Sequence, residues 1–376
     1  MHLVIVQTPI SYLDDKRYNR QETGLAKALA RHGFKVTLIY VGKTNYRHKV
    51  CDNVEIHYLK CVKLNQQVGT YFGLRKLLNQ LKPDIVQIHE IGMFMSYYVL
   101  KWAKANGIKC VLIQGAYEVT RKCIFKTLEL IFDRIVGSYI LRNVDGVGCK
   151  TPSAEDFLFQ FHNRKYFSTP VGLDESRFKK KIDGKRLRDI LGIPPNKRVL
   201  LYIGVIESRR HVDTLIESLC YLPENFVLAI VGDGVEKGRL MEISRKECLA
   251  DRIFWLGKKK QEELPYIYED ADLFLLASDY EIYGMVILEA MYYGLPVLST
   301  RTGGARTLIT DGQTGYIIDS LNGKDWSDRI SEIFSDSVTY DKIKSKVHSH
   351  VLDNLLWSET CEAFIKLYNE AMNGNA

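Results

Sequence analysis

The chain has no pair of cysteines spaced two apart and no cluster with metal-ligand spacing. Its eight cysteines, Cys51, Cys61, Cys110, Cys123, Cys149, Cys220, Cys248 and Cys361, are scattered. That excludes a disulfide frame and points to buried thiols in a reducing compartment. No uninterrupted run of about 18 apolar residues occurs, so nothing is expected to span a membrane. Met1–Val6 is a short apolar segment with no basic stretch ahead of it and no long apolar stretch after it, so no secretory leader is expected. A secreted periplasmic binding protein is disfavoured on the same ground. No Gly-x-Gly-x-x-Gly follows the first apolar run, which disfavours a nicotinamide dehydrogenase. Internal repeats, low-complexity tracts and long basic arms are also missing, so nucleic acid is not an expected partner.

What is present is ordinary globular composition: 376 residues, 46% hydrophobic and 26% charged. That length suits two domains. The net charge of +7 is uneven, with 28 Lys and Arg against 15 Asp and Glu in residues 1–180, and a net negative remainder. A basic first half suggests an anionic partner, such as a membrane surface or a phosphate-bearing acceptor.

Short apolar runs alternate with helix-like stretches. His2–Gln7, Lys35–Val41, Ile85–His89 and Lys109–Gln114 read as strands; Glu22–His32, Tyr71–Leu81 and Met95–Asn106 read as helices. Strands apolar throughout and separated by helices predict a parallel sheet covered on both faces. The pattern restarts with strands at Arg198–Gly204, Phe226–Gly232, Ile253–Leu256 and Leu273–Ala277, and a helix over Val212–Leu222. Between the two halves, Pro170–Lys197 reads as a hinge. The expectation is an α/β chain with an N-terminal Rossmann-like domain at 1–180, a second at 181–350, and a terminal helix at 351–376 packing back on the first. In such sheets, ligands bind outside the carboxyl ends of the strands.

The most informative stretch is Leu273–Pro296. A strand ends at Ala277, a polar loop Ser278-Asp279-Tyr280-Glu281 follows, and Gly284 opens a helix that stops at Gly294-Leu295-Pro296. The first amides of that helix have no internal partner and favour negative charge. Gly284 lets a ligand approach the backbone. Glu289 lies five residues on, roughly 7–8 Å along the axis. A carboxylate there can accept both hydroxyls of a ribose.

This stretch resembles the signature of retaining glycosyltransferases of the GT-B fold, glycosyltransferase family 4. Further matches are Thr169–Asp174 with Phe178, Val231–Gly234, Phe254–Gly257, Thr302–Gly304 with Asp311–Gly315, and, more loosely, Lys27–Gly33. The resemblance implies two Rossmann-like domains facing a central cleft. It implies transfer of a sugar, with retention, from a UDP- or GDP-type nucleotide-sugar to a glycan or lipid-linked acceptor in surface polysaccharide or glycoconjugate synthesis. By position, Glu281 with Tyr283, Gly284, Met285 and Val286 would hold the donor sugar, and Glu289 the ribose. Gly257 and Lys258 would frame the base, while Gly204, Arg209 and Arg210 would meet the diphosphate. Glu281, Arg210 and Gln114 are the candidate catalytic residues, and His89 and Glu90 line the acceptor side. No metal or other cofactor is expected: the nucleotide-sugar is a substrate, and the carboxylates Asp14-Asp15 are adjacent rather than spaced.

Three positions depart from the family pattern: Val205 stands where an arginine is usual, Gln114 where a histidine is usual, and Arg306 where a glutamate is usual. These keep open a weak or non-transferase member, such as a nucleotide-sugar epimerase or a sugar-nucleotide-binding scaffold. Arg121–Arg142 mixes basic and large apolar residues; as a helix it would either pack in the core or touch an anionic membrane. The expected location is cytoplasmic, at the inner membrane face.

Overall fold

The computed structural model describes residues 1–9, 20–64, 68–118, 131–178 and 186–374. The chain divides into two compact units, Met1–Asp174 with Trp357–Ala376, and Glu175–Leu356.

Among the described residues, the first unit holds an eight-stranded sheet. Its strands are β1 (His2–Val6), β2 (Lys35–Val41), β3 (Tyr46–Cys51), β4 (Val54–Leu59), β7 (Ile85–His89), β8 (Lys109–Gln114), β9 (Gly146–Cys149) and β10 (Phe167–Ser168), in the order β10-β9-β8-β7-β1-β2-β4-β3. A separate antiparallel pair joins β5 (Cys61–Lys63) to β6 (Gly69–Tyr71). Strand order reverses between β1 and β7, which pair in parallel. Val86 and Ile88 of β7 enter an apolar core with Leu100, Leu112, Val147 and Leu158.

Several expectations need correction. The sheet is not wholly parallel: β3 runs antiparallel on β4, because only the turn Asp52-Asn53 joins them, and two residues suffice for a hairpin but not a crossover. The helix expected from Tyr71 begins at Leu74, since Gly73 adopts φ 75° and Gly69–Tyr71 is spent in a strand. The thiols Cys110, Cys149 and Cys361 are buried, but Cys51, Cys220 and Cys248 are exposed. Of the Arg121–Arg142 stretch, residues 121–130 lie outside the described residues, as do Asp14, Asp15 and residues 179–185 of the expected hinge. What is described of that stretch buries Ser138, Ile140 and Leu141 and exposes Ile131 and Ile135. Among the described residues no helix is long and apolar enough to cross a membrane.

The terminal helix Trp357–Asn373 buries Trp357, Cys361, Phe364, Leu367, Tyr368 and Ala371, a helical stripe. It belongs to the first unit. The unit boundaries fall at 174 and 357 rather than 180 and 351. The reason is local: the Trp357 amide donates to the Leu173 carbonyl at 3.2 Å, and a Cβ on Gly24 would meet the Trp357 indole at 2.3 Å. The preceding helix, Ser337–Asn354, instead buries Tyr340, Ile343, Val347 and Val351 in the second unit.

The second unit carries a six-stranded parallel sheet among the described residues: β11 (Arg198–Ile203), β12 (Phe226–Val231), β13 (Ile253–Gly257), β14 (Leu273–Leu276), β15 (Val297–Thr300) and β16 (Tyr316–Ile318). Its order is β13-β12-β11-β14-β15-β16. The reversal falls between β11 and β14, paired through Leu200–Leu273 and Leu201–Phe274.

Truncating Phe364 to alanine empties a fully packed position in the terminal helix. The expected cost to the first unit is about 3–5 kcal/mol. It should appear as a lowered first-unit transition in calorimetry, with the second-unit transition unmoved.

Candidate active site

In the second unit the two strands that meet at the reversal send their loops to the same edge of the sheet. The loop after β11 carries Gly204 to His211, and the loop after β14 carries Ala277 to Gly284. Side chains tie these loops together. Arg209 Nη1 donates to the Tyr280 carbonyl at 3.2 Å, and the Asp279 amide donates to the Arg209 carbonyl at 3.0 Å. His211 Nε2 lies 2.6 Å from Asp279 Oδ1. Arg210 forms an ion pair with Glu281 and donates from Nη1 to Ser278 Oγ at 3.1 Å. Ser278 Oγ lies 3.4 Å from Glu281 Oε1. Glu207 receives Arg209 Nε at 2.7 Å. Burial, and then the neighbouring Arg209 charge, pull the Arg210 guanidinium below its usual range. Arg210, on the loop after β11, is thus held partly buried against two acceptors on the loop after β14.

Gly284 sits at φ 76°, a backbone state that disfavours a side chain, at the start of the helix Met285–Tyr292. The amides of Met285 and Val286 have no carbonyl one turn back to pair with. Tyr283 is buried, while Met285 and Val286 are half-buried. Glu281 sends its carbonyl to the Gly304 amide at 3.1 Å. A Cβ on Gly304 would lie 2.3 Å from the Tyr283 carbonyl oxygen and 2.9 Å from the Gly284 nitrogen, so this glycine sets how the loop approaches the next helix. Glu289 is buried, and Tyr268 Oη donates to its Oε2 at 3.1 Å. Tyr268 stacks on Tyr293 at 5.4 Å between centroids. Gly257 ends β13 and Lys258, next to it, is exposed. Val205 turns its side chain to solvent while its carbonyl accepts the Tyr202 hydroxyl at 2.8 Å. Arg306 is exposed.

In the first unit the sequence-singled residues also stand at strand ends. Glu90 follows β7 at φ 63°. Its two carboxylate oxygens accept the amides of Gly115 and Ala116, each at 3.1 Å. Burial pushes its carboxyl above the usual carboxylate range, making it a weaker acid. Gln114, the last residue of β8, accepts the Ile91 amide at 3.0 Å and donates to the Ala116 carbonyl at 2.8 Å. Both side chains therefore brace the loops after β7 and β8. His89 ends β7 and is buried, which pushes its imidazole down to about 4.

Glu281, Arg210, Arg209, Gly204 and the Gly284–Val286 backbone are thus gathered in one pair of loops. Glu289 lies deeper on the same helix, and Gly257 with Lys258 closes β13, two strands from β11. Sequence reading missed Ser278 as a bridge, Glu207 as the partner of Arg209, and Tyr268 as the partner of Glu289. Ser278 and Glu207 lie within the loops already singled out. Tyr268 is 21 residues from Glu289, and no spacing rule marks it.

Two Rossmann-like α/β units in one chain, each with its strand order reversed at mid-sheet, are the GT-B glycosyltransferase fold. The Anabaena protein Alr3699/HepE, solved in complex with UDP, shares that fold at a TM-score of 0.75 and 16% identity, covering 98% of this chain and 100% of that one. Residues 183–349, which lie within the second unit, match the family described as glycosyl transferases group 1. The N-acetyl-alpha-D-glucosaminyl L-malate synthase of Bacillus anthracis is 22% identical, covering 93% of both chains. The D-inositol 3-phosphate glycosyltransferase of Mycolicibacterium smegmatis is 27% identical over 190 residues, 50% of this chain and 43% of that protein. The chain spans about half the length of the inositol 3-phosphate glycosyltransferases it matches.

Replacing Gly304 by alanine forces a methyl against fixed backbone atoms of Tyr283 and Gly284. The expected destabilisation of the second unit is about 1–3 kcal/mol, read as a lowered transition in thermal denaturation. An unmoved transition would mean that the approach is not tight.

Proposed function

We propose that the chain is a retaining, metal-independent glycosyltransferase. It moves a sugar from a UDP- or GDP-type nucleotide-sugar to a hydroxyl of a glycan or lipid-linked acceptor, in surface polysaccharide or glycoconjugate synthesis. The observation that carries this reading is the Arg210–Glu281–Ser278 contact at the β11–β14 reversal, beside the open amides of the Met285–Tyr292 helix. Arg210, with Arg209 and the loop at Gly204, would take the diphosphate and neutralise it without a metal ion. Glu281 would exchange its ion pair for the sugar hydroxyls. Glu289, oriented by Tyr268, would accept the ribose hydroxyls, and Gly257 with Lys258 would frame the base. The family match and the UDP bound to Alr3699/HepE support the donor class.

Retention follows from a same-face exchange. The bond from the anomeric carbon to the diphosphate oxygen breaks while a bond to the acceptor oxygen forms on that face. The acceptor proton passes to the departing phosphate oxygen. Arg210 and the helix amides stabilise the charge that develops there, and the loops hold the partners in place. The acceptor would bind at the carboxyl ends of β7 and β8, near His89 and Glu90. The basic first half would favour an anionic membrane face, placing the enzyme at the inner side of the membrane.

Two measurements test this. In a thermal-shift screen of UDP-, GDP-, ADP- and dTDP-sugars, one nucleotide series should stabilise the protein by about 2.7 kcal/mol at a hundredfold excess over Kd. EDTA should leave the shift intact and Glu289→Ala should abolish it. No shift with any donor would remove the nucleotide-sugar reading, and a shift lost in EDTA would refute metal independence. Arg210→Ala should lower kcat by roughly 10²–10³ in a transfer assay. Unchanged turnover would remove Arg210 from the mechanism.

A further inference from the structure

Beneath the carboxyl end of β7, three side chains form a buried line of hydrogen bonds. Tyr368 of the terminal helix donates its hydroxyl to Gln87 Oε1 at 2.5 Å, across 281 residues of sequence. Gln87 Nε2 lies 3.2 Å from His89 Nε2. Tyr368, Gln87 and His89 are 0%, 1% and 6% exposed. Gln87 and His89 are two apart on one strand and share a face, opposite Val86 and Ile88 in the apolar core.

The chemistry of the amide gives this line a direction. A hydroxyl bound to a carbonyl oxygen is the donor, and the other end of a glutamine amide can only donate. His89 Nε2 must then accept, which puts the ring proton on Nδ1. His89 borders a small cavity shared with Gln21, Glu22, Ile113 and Lys150. Glu22 favours the charged ring and Lys150 opposes it, while burial outweighs both and keeps the ring neutral at neutral pH.

We infer that Tyr368 and Gln87 are positioning residues that fix His89 as a neutral imidazole protonated at Nδ1, so that it donates a hydrogen bond to an acceptor oxygen and cannot serve as a base. This rests on the proposed reading in which the acceptor binds at the end of β7. It agrees with a transfer in which the departing phosphate, not a protein base, takes the proton: with Nε2 engaged, His89 has no lone pair left to offer.

The test is nitrogen and carbon NMR of the full chain with labelled histidine at neutral pH, with His89 assigned by its loss in His89→Gln. The expected spectrum shows Nδ1 protonated and Nε2 bare. Tyr368→Phe should mix the two tautomers and raise the acceptor KM by about tenfold, near the worth of one hydrogen bond, with the donor KM unchanged. Gln87→Glu presents only acceptors, so it should move the proton to Nε2 and raise the His89 titration midpoint. Wild-type His89 protonated at Nε2, or a tautomer ratio untouched by Tyr368→Phe, overturns the relay. These spectra need no substrate, so that failure is distinct from failure of the transferase reading. A correct tautomer with acceptor KM unmoved in both Tyr368→Phe and His89→Gln overturns the role in acceptor binding.

Discussion

Parallel strands buried on both faces leave polar side chains few places to act, and the main one is the loops at the carboxyl ends. Every paired strand of the second-unit sheet runs in one direction, and β11, β12 and β14 are buried almost from end to end. Arg209, Arg210, Ser278 and Glu281 all stand just past that buried layer. The reversal between β11 and β14 separates the following helices and leaves their loops side by side. The Arg210–Glu281 pair closes the gap between those loops, and the open helix amides lie beside it.

The same edges are stiffened by polar side chains that grip backbone. In the first unit Glu90 and Gln114 hold the loops after β7 and β8 to each other. In the second, Arg209 and Thr300 reach the loop after β14 through the Tyr280 and Ser278 carbonyls. Buried polar groups are costly unless paired, so each of these contacts fixes its loop in one geometry. A site that works through positioned charge needs that rigidity more than it needs a strong nucleophile.

Much of this was legible from residues. The apolar runs Lys35–Val41, Ile85–His89 and Lys109–Gln114 are strands with the bounds their hydrophobicity marks. The loop-glycine-helix pattern around Gly284 places Glu281 and Glu289 on one unit because local chain geometry fixes it. Less visible were β3 and β4, whose mixed charged and apolar residues give no continuous run, and β9, where Gly146-Val-Gly-Cys149 lacks the bulk that marks a strand. Gln114 shows the limit at the site itself. Its type and strand-end position suit a sugar contact, yet its amide is engaged at both ends by loop backbone, which depends on where Ile91 and Ala116 come to lie.

By itself the sequence determined the two-part α/β architecture, the strand-end loops and the residue types that those loops carry. Those follow from hydrophobic period, glycine positions and residue type, all local properties. Only the tertiary structure decided who meets whom: Arg210 with Glu281, Tyr268 with Glu289, and Tyr368 with Gln87 and His89. Such pairings depend on sheet order and on which face the terminal helix covers, and both are set by burial of side chains hundreds of residues apart. No spacing rule carries that information, because the free energy that selects it belongs to the packed core as a whole.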